Sequence, residues 1–238
     1  MWNKILGLLL SVGAVILTLK IMLYIAMQDK EGGCYSLKMT PVKWLLCLIS
    51  GQVAFISAVG CVKEICGRNI WGSKLWLTYT ACILLSVLAG SLLMACITDC
   101  QNCLVFHFVW WVGGMAGLVL LTLTCHELWC GCEVSEIMMA KVFFPKAISL
   151  LAFGLLQEKI FIKMYGRADC HAFVVCALAE CAVGLGIREY LLHMLSAFSL
   201  LAVVQAMKGN IGKSGNLKEA VPFLPYITVS FWLIVMAM

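Results

Sequence analysis

From Ile5 to Met27 the chain is apolar but for a few hydroxyls and one charge, Lys20. Similar runs recur at 43–62, 75–97, 104–124, 142–157, 170–187, 189–207 and 221–238. A membrane-crossing helix needs roughly 20 apolar residues. Strands of a membrane barrel instead alternate over about ten residues, and backbone groups in lipid must bond internally. The expected fold is therefore all-α, a polytopic membrane protein with about eight transmembrane helices. Hydrophobic residues make up 63% of the chain and charged ones 12%, against about half and about a quarter in soluble domains. That excludes a soluble domain, a disordered chain and a coiled coil. Eight spans with short connectors leave no length for a sizeable soluble domain, so residues 1–238 read as one integral membrane domain. The fifth span is short, and only Ile187-Arg188-Glu189 parts the sixth from the seventh, which predicts a tight hairpin or one broken element.

The net charge of +5 resides in the connectors, where basic residues record orientation and anionic lipid headgroups rather than nucleic acid. Loops 28–42, 98–103, 158–169 and 208–220 carry more Lys and Arg than the opposite set, which assigns them to the cytoplasm. The start, Met1-Trp2-Asn3-Lys4, precedes an apolar stretch too long for a signal peptide and without a small-x-small cleavage site, so a retained first span is expected. Most of the fourteen cysteines lie within apolar runs, where a thiol behaves as a small hydrophobe. Gly113 and Gly117 have the small-xxx-small spacing that lets helices approach closely, and Gly184 and Gly186 either do the same or end the sixth span.

Carboxylates are costly in hydrocarbon, which makes them informative. Asp29 sits beside Lys30 and Glu31 as a solvated loop residue. Asp99 ends the third span and Asp169 precedes the sixth, and on the eight-span topology both lie at the same membrane face. Two carboxyls brought close share a proton, because like charges raise one pKa. One can then activate water while the other, protonated, polarises a peptide carbonyl. On spacing alone, two boundary residues contacting water and headgroups are the better fit.

Three segments point further. Ile97-Thr98-Asp99-Cys100-Gln101-Asn102-Cys103-Leu104, Gly166-Arg167-Ala168-Asp169-Cys170-His171 and Val221-Pro222-Phe223-Leu224-Pro225-Tyr226 resemble, in order and separation, those of the type IV prepilin peptidases. These are membrane-embedded aspartic proteases of the GxGD type. The resemblance covers roughly 75–238, with residues 1–74 as two additional N-terminal spans. It implies an aspartic endopeptidase without metal or organic cofactor, with Asp99 and Asp169 as the catalytic pair. Gly166 is implied as the turn presenting the second aspartate, and His171 stands where the family has Lys. The implied substrate is a prepilin or pseudopilin-like protein, a short basic leader ahead of an apolar helix, cut at the cytoplasmic face of a bacterial inner membrane. A homo-oligomer stays open. Ala168 replaces the second motif glycine, and Leu104-Val105-Phe106 replaces the usual Ile-Pro-Asn. The family's paired-cysteine loop is missing, so methyltransferase activity is not implied.

Other residues carry alternatives. Glu180, eleven residues beyond Asp169, is either a proton relay or a protonated group bonded across helices. His107 and His193 read as core histidines, Lys20 as a snorkelling cation, and Lys146 as a residue near the start of the fifth span. Cys96, Cys100 and Cys103 have a cluster-binding spacing without the soluble barrel that chemistry needs. Cys125, Cys130 and Cys132 with His126, Glu127, Glu133 and Glu136 offer zinc or a disulfide. Gly209-Asn210-Ile211-Gly212-Lys213-Ser214 lacks the spacing and preceding strand of a phosphate loop. A non-catalytic relative that binds leader-bearing helices and a small ion-coupled transporter are the rival functions.

Overall fold

A computed structural model describes residues 2–28, 39–66, 74–102, 105–130, 134–161, 166–207 and 222–237. The described residues form eight α-helices and no strand: α1 (Trp2–Gln28), α2 (Pro41–Cys66), α3 (Leu75–Asn102), α4 (His107–Cys130), α5 (Val134–Phe161), α6 (Arg167–Ala182), α7 (Ile187–Met207) and α8 (Leu224–Met236). Five of them, α1 to α4 and α7, are long and apolar enough to cross a membrane. The chain is thus an all-α, multi-pass membrane protein. The other three differ in character. α5 is long but contains Glu136, Lys141, Lys146, Glu158 and Lys159, α6 has only 16 residues, and α8 has 13.

Apolar side chains cover the outside as well as the inside. Leu9, Leu17, Trp111, Leu195, Val203 and Leu233 all point outward, as suits a bundle whose solvent is hydrocarbon. In lipid the hydrophobic effect does not press helices together, so close backbone approach matters more. Gly90 of α3 lies so near α1 that a Cβ there would stand 2.8 Å from Thr18 Cβ. Gly113 of α4 faces Ser91 of α3, where a Cβ would reach Oγ at 2.6 Å, and Gly117 lies against Leu178 of α6. The two α4 glycines thus do what their spacing predicts, each toward a different neighbour.

Helix α3 is the most enclosed of the five long helices. It packs against α1, α2, α4 and α8, while α6 sits among α4, α5 and α8. α6 stops at Gly184, whose φ of 87° suits glycine. The Gly184 and Leu185 amides turn back onto the Cys181 and Glu180 carbonyls, at 3.0 and 2.9 Å. This is a Schellman ending, so Gly184 terminates α6 and a short turn leads into α7, but the two helices do not pack along each other as a hairpin. The bundle brings the C-terminal end of α3 and the N-terminal ends of α6 and α8 to one region.

Candidate active site

Asp99 lies in the last turn of α3 and is buried. Its partner is the start of α8. Phe223 caps that helix and Pro225 occupies its first turn. First-turn amides have no acceptor within their own helix, and the helix dipole makes this end electropositive. Proline is tolerated there because its missing N–H would be unpaired anyway. The Leu224 amide donates to Asp99 Oδ2 at 3.1 Å, with the Phe223 amide adding to it. Pro222-Phe223-Leu224-Pro225 is thus a device that starts a helix at a carboxylate.

Asp169 occupies the first turn of α6, outside the five membrane-crossing helices. It accepts the Gly166 amide at 3.2 Å, while its own amide donates to the Gly166 carbonyl at 3.1 Å. Burial pushes its carboxyl up to about 6, the charge of Asp99 adds to the rise, and the Gly166 amide pulls the other way. The fold therefore brings together two aspartates 70 residues apart in sequence. Each is tethered to a backbone amide. Gly166, Arg167 and Cys100 nearby are exposed.

Gly166 serves otherwise than as a special turn. Its φ of −62° and ψ of 150° are open to any residue. A Cβ there would instead stand 3.1 Å from Asp169 Oδ2, so what glycine provides is clearance for the carboxyl. Ala168 lies inside α6 with helical, negative φ, where a glycine is not needed. His171 faces the ring of His107 across a centroid distance of 5.8 Å and that of Trp110 across 6.4 Å. With Trp111, Val175 and Leu178 they line a mostly apolar groove of about 400 Å³ between α4 and α6. A larger groove of about 640 Å³ runs between α2, α3 and α8, and Cys96, Cys100, Pro225 and Thr228 are part of its lining. Neither lining includes Asp99 or Asp169, though Cys100 and His171, one and two residues from them, belong to the two grooves.

A second polar cluster lies in the core. Glu180 Oε1 of α6 approaches His193 Nδ1 of α7 to 2.6 Å, with both side chains inaccessible. His193 Nε2 lies 3.0 Å from the Ile227 carbonyl of α8. A carbonyl only accepts, so Nε2 carries hydrogen, while Nδ1 stands against the Glu180 carboxyl without hydrogen-bond geometry and Glu180 Oε2 has no partner among the described residues. Beside them the Tyr190 hydroxyl donates to Gln157 Oε1 of α5 at 2.5 Å. Phe173 packs against both the His193 and Tyr190 rings. His193 is a core histidine, as its sequence context predicts, and also Glu180's partner.

Among the described residues no three His, Cys, Asp or Glu side chains gather as a metal site. Glu127 is paired with Lys74 and Cys125 is a free thiol. Cys132 and Glu133, the side chains of Cys130 and Glu136, Cys103 and the 209–214 segment lie outside the described residues. Lys20 is exposed, 6.0 Å over the Trp44 ring.

No family model matches the chain, and no curated protein or solved structure matches it either. Two parts of the site escape sequence reasoning. The Leu224 amide is a backbone group without a side-chain signature, although the two prolines around it mark a helix start. The Glu180–His193 contact joins residues whose separation of 13 spans a helix end, so no periodicity announces it.

Proposed function

We propose that this protein is an aspartic endopeptidase of the prepilin peptidase type, working at the cytoplasmic face of a bacterial inner membrane with all eight helices embedded. The observation that carries this reading is the Asp99–Asp169 pair, two amide-tethered carboxyls from distant helices, one acting electrostatically on the other. Asp99, held by the positive end of α8, is the ionised member and draws a proton from the attacking water. Asp169, whose carboxyl holds its proton to about pH 6, donates to the scissile carbonyl oxygen. The proton taken by Asp99 then passes to the leaving amine, and Asp169 takes back a proton from a gem-diol hydroxyl as the carbonyl re-forms. No metal or organic cofactor takes part in this scheme.

The substrate proposed is a prepilin or pseudopilin-like protein, cut between its short basic leader and its apolar helix. Membrane lipid surrounds the enzyme, and assembly as a homo-oligomer is compatible with this scheme. The test is cleavage in membranes of a pilin-like substrate from the same genome. Wild type should give a processed band that Asp99→Asn and Asp169→Asn each abolish at unchanged expression and insertion. Processing by either variant overturns the pair.

The buried Glu180–His193 pair favours a second reading, a small ion-coupled carrier with Glu180 as its relay. There Glu180→Gln abolishes ion-coupled uptake and the aspartate variants do not. A non-catalytic relative would instead bind leader-bearing helices and release them uncut.

A further inference from the structure

Helix α8 touches two carboxyl systems at once. Its first amide donates to Asp99 of α3, and one turn on its Ile227 carbonyl receives His193 Nε2 of α7. His193 is held on its other side by Glu180 of α6, the same helix that presents Asp169. The chain of contacts is therefore closed: Asp99, α8, His193, Glu180, α6, Asp169. Glu180 and His193 are wholly buried. Rings of Phe173, Tyr190 and Phe231 surround the imidazole, at centroid distances of 5.4, 5.9 and 5.9 Å. Packing on this scale leaves the imidazole no freedom to follow a drifting helix.

We propose that Glu180 and His193 are positioning residues for the aspartate pair, setting the start of α8, and with it Asp99, against the start of α6 and Asp169. The pair touches neither aspartate. Its contribution is to lock the α6–α7–α8 corner so that the two carboxyls stay at working distance. Tyr190 and Gln157 extend the same lock to α5. Where no side chain bridges them, α3 and α6 meet mainly through α4 and α8, so a slip of α8 withdraws the Leu224 amide that sets the Asp99 carboxyl toward Asp169.

The inference rests on the aspartate pair being the reactive centre, and the experiment separates the two claims. Full-length protein in lipid nanodiscs is assayed with a purified fusion carrying a Lys/Arg-rich leader ahead of an apolar helix. His193→Asn keeps a donor toward Glu180 but withdraws from Ile227, whereas His193→Gln can still reach the carbonyl. Misplacing a reacting group by about 1 Å costs roughly 100-fold in rate. His193→Asn is therefore expected to lower kcat by about 10- to 100-fold with KM within about twofold, and His193→Gln to recover most of it.

Leu19→Ala, buried in α1, is the control for general destabilisation and should keep kcat at a comparable loss of Tm. If His193→Asn does not fold, Glu180→Leu takes its place, with rescue by Glu180→Gln. Wild-type kcat in the loss-of-contact variant, or an equal loss in Leu19→Ala, overturns the proposal and leaves the protease standing. If wild type cuts nothing, the protease fails, and infrared titration of the Asp169 carboxyl decides instead. A lower midpoint in His193→Asn, as Asp99 recedes, sustains the positioning role, and an unmoved midpoint overturns it.

Discussion

Helix α6 carries two carboxyls about three turns apart, and they live under opposite conditions. Asp169 sits in the first turn, half-buried, next to another aspartate and a backbone amide, with exposed residues around it. Glu180 sits in the last turn, wholly buried against the imidazole of His193. A carboxyl facing a like charge has two protonation states close in energy, which is what acid–base chemistry needs. A carboxyl enclosed with an imidazole in an apolar shell is fixed in place, which suits a fastener. The same functional group therefore serves reaction at one end of a helix and structure at the other, and the neighbours decide which.

The sharpest way to break this contrast is to neutralise each carboxyl and compare the losses. Asp99→Asn and Asp169→Asn should each cut cleavage by at least about 100- to 10,000-fold, read by gel in membranes, with Tm nearly unchanged. Glu180→Ala should do the converse. Stripping one partner from a buried pair costs about 3–5 kcal/mol, which a denaturant titration in micelles would register. If Glu180→Ala leaves stability intact while the aspartate variants unfold, the two assignments must be exchanged.

Next in size is the pH dependence. Asp169 ionises near 6 when folded against 3.8 ordinarily. The folded state thus favours its protonated form, a stabilisation complete below about pH 4 and lost as pH rises toward 6. Cleavage should fall about tenfold per pH unit above 6, and Asp169→Asn should flatten the pH dependence of Tm between 4 and 6. In Asp99→Asn the Asp169 midpoint, followed by carboxyl infrared absorption, should drop.

Smaller effects test the packing. Gly113→Ala forces a Cβ to 2.6 Å from Ser91 Oγ, an overpacking that costs about 1–3 kcal/mol and should lower Tm. Gly166→Ala is the mildest. Its backbone already suits alanine, and the new Cβ crowds only Asp169 Oδ2 at 3.1 Å. Activity should fall no more than a few-fold, and a loss as large as that of Asp169→Asn would show that the residue does more than leave room.

Continuous apolar runs made the helices legible, because in lipid only a helix can satisfy such a backbone. Span count was less legible. Residues 142–157 and 170–187 read as apolar, yet α5 carries its charges into the helix, and α6 is shortened by the turn at Gly184. Asp99 and Asp169 stood out because charge is rare in such segments. That they meet depends on α4 and α8 packing between α3 and α6, which no local pattern encodes. Glu180 and His193 were each visible and each ambiguous, since pairing across two helices is a property of tertiary packing.

The tight turn between α6 and α7 also bears on how the chain is made. The ribosome delivers Glu180 before His193, and a lone carboxylate entering hydrocarbon costs about 2.5–3.5 kcal/mol by insertion scales. Helix α6, short and burdened with Arg167, Asp169, His171 and Glu180, is poorly suited to leave the translocon alone. With Gly184 closing the turn, α6 and α7 can enter together, with Glu180 set against His193. Biogenesis then has a commitment step that waits for the imidazole to emerge.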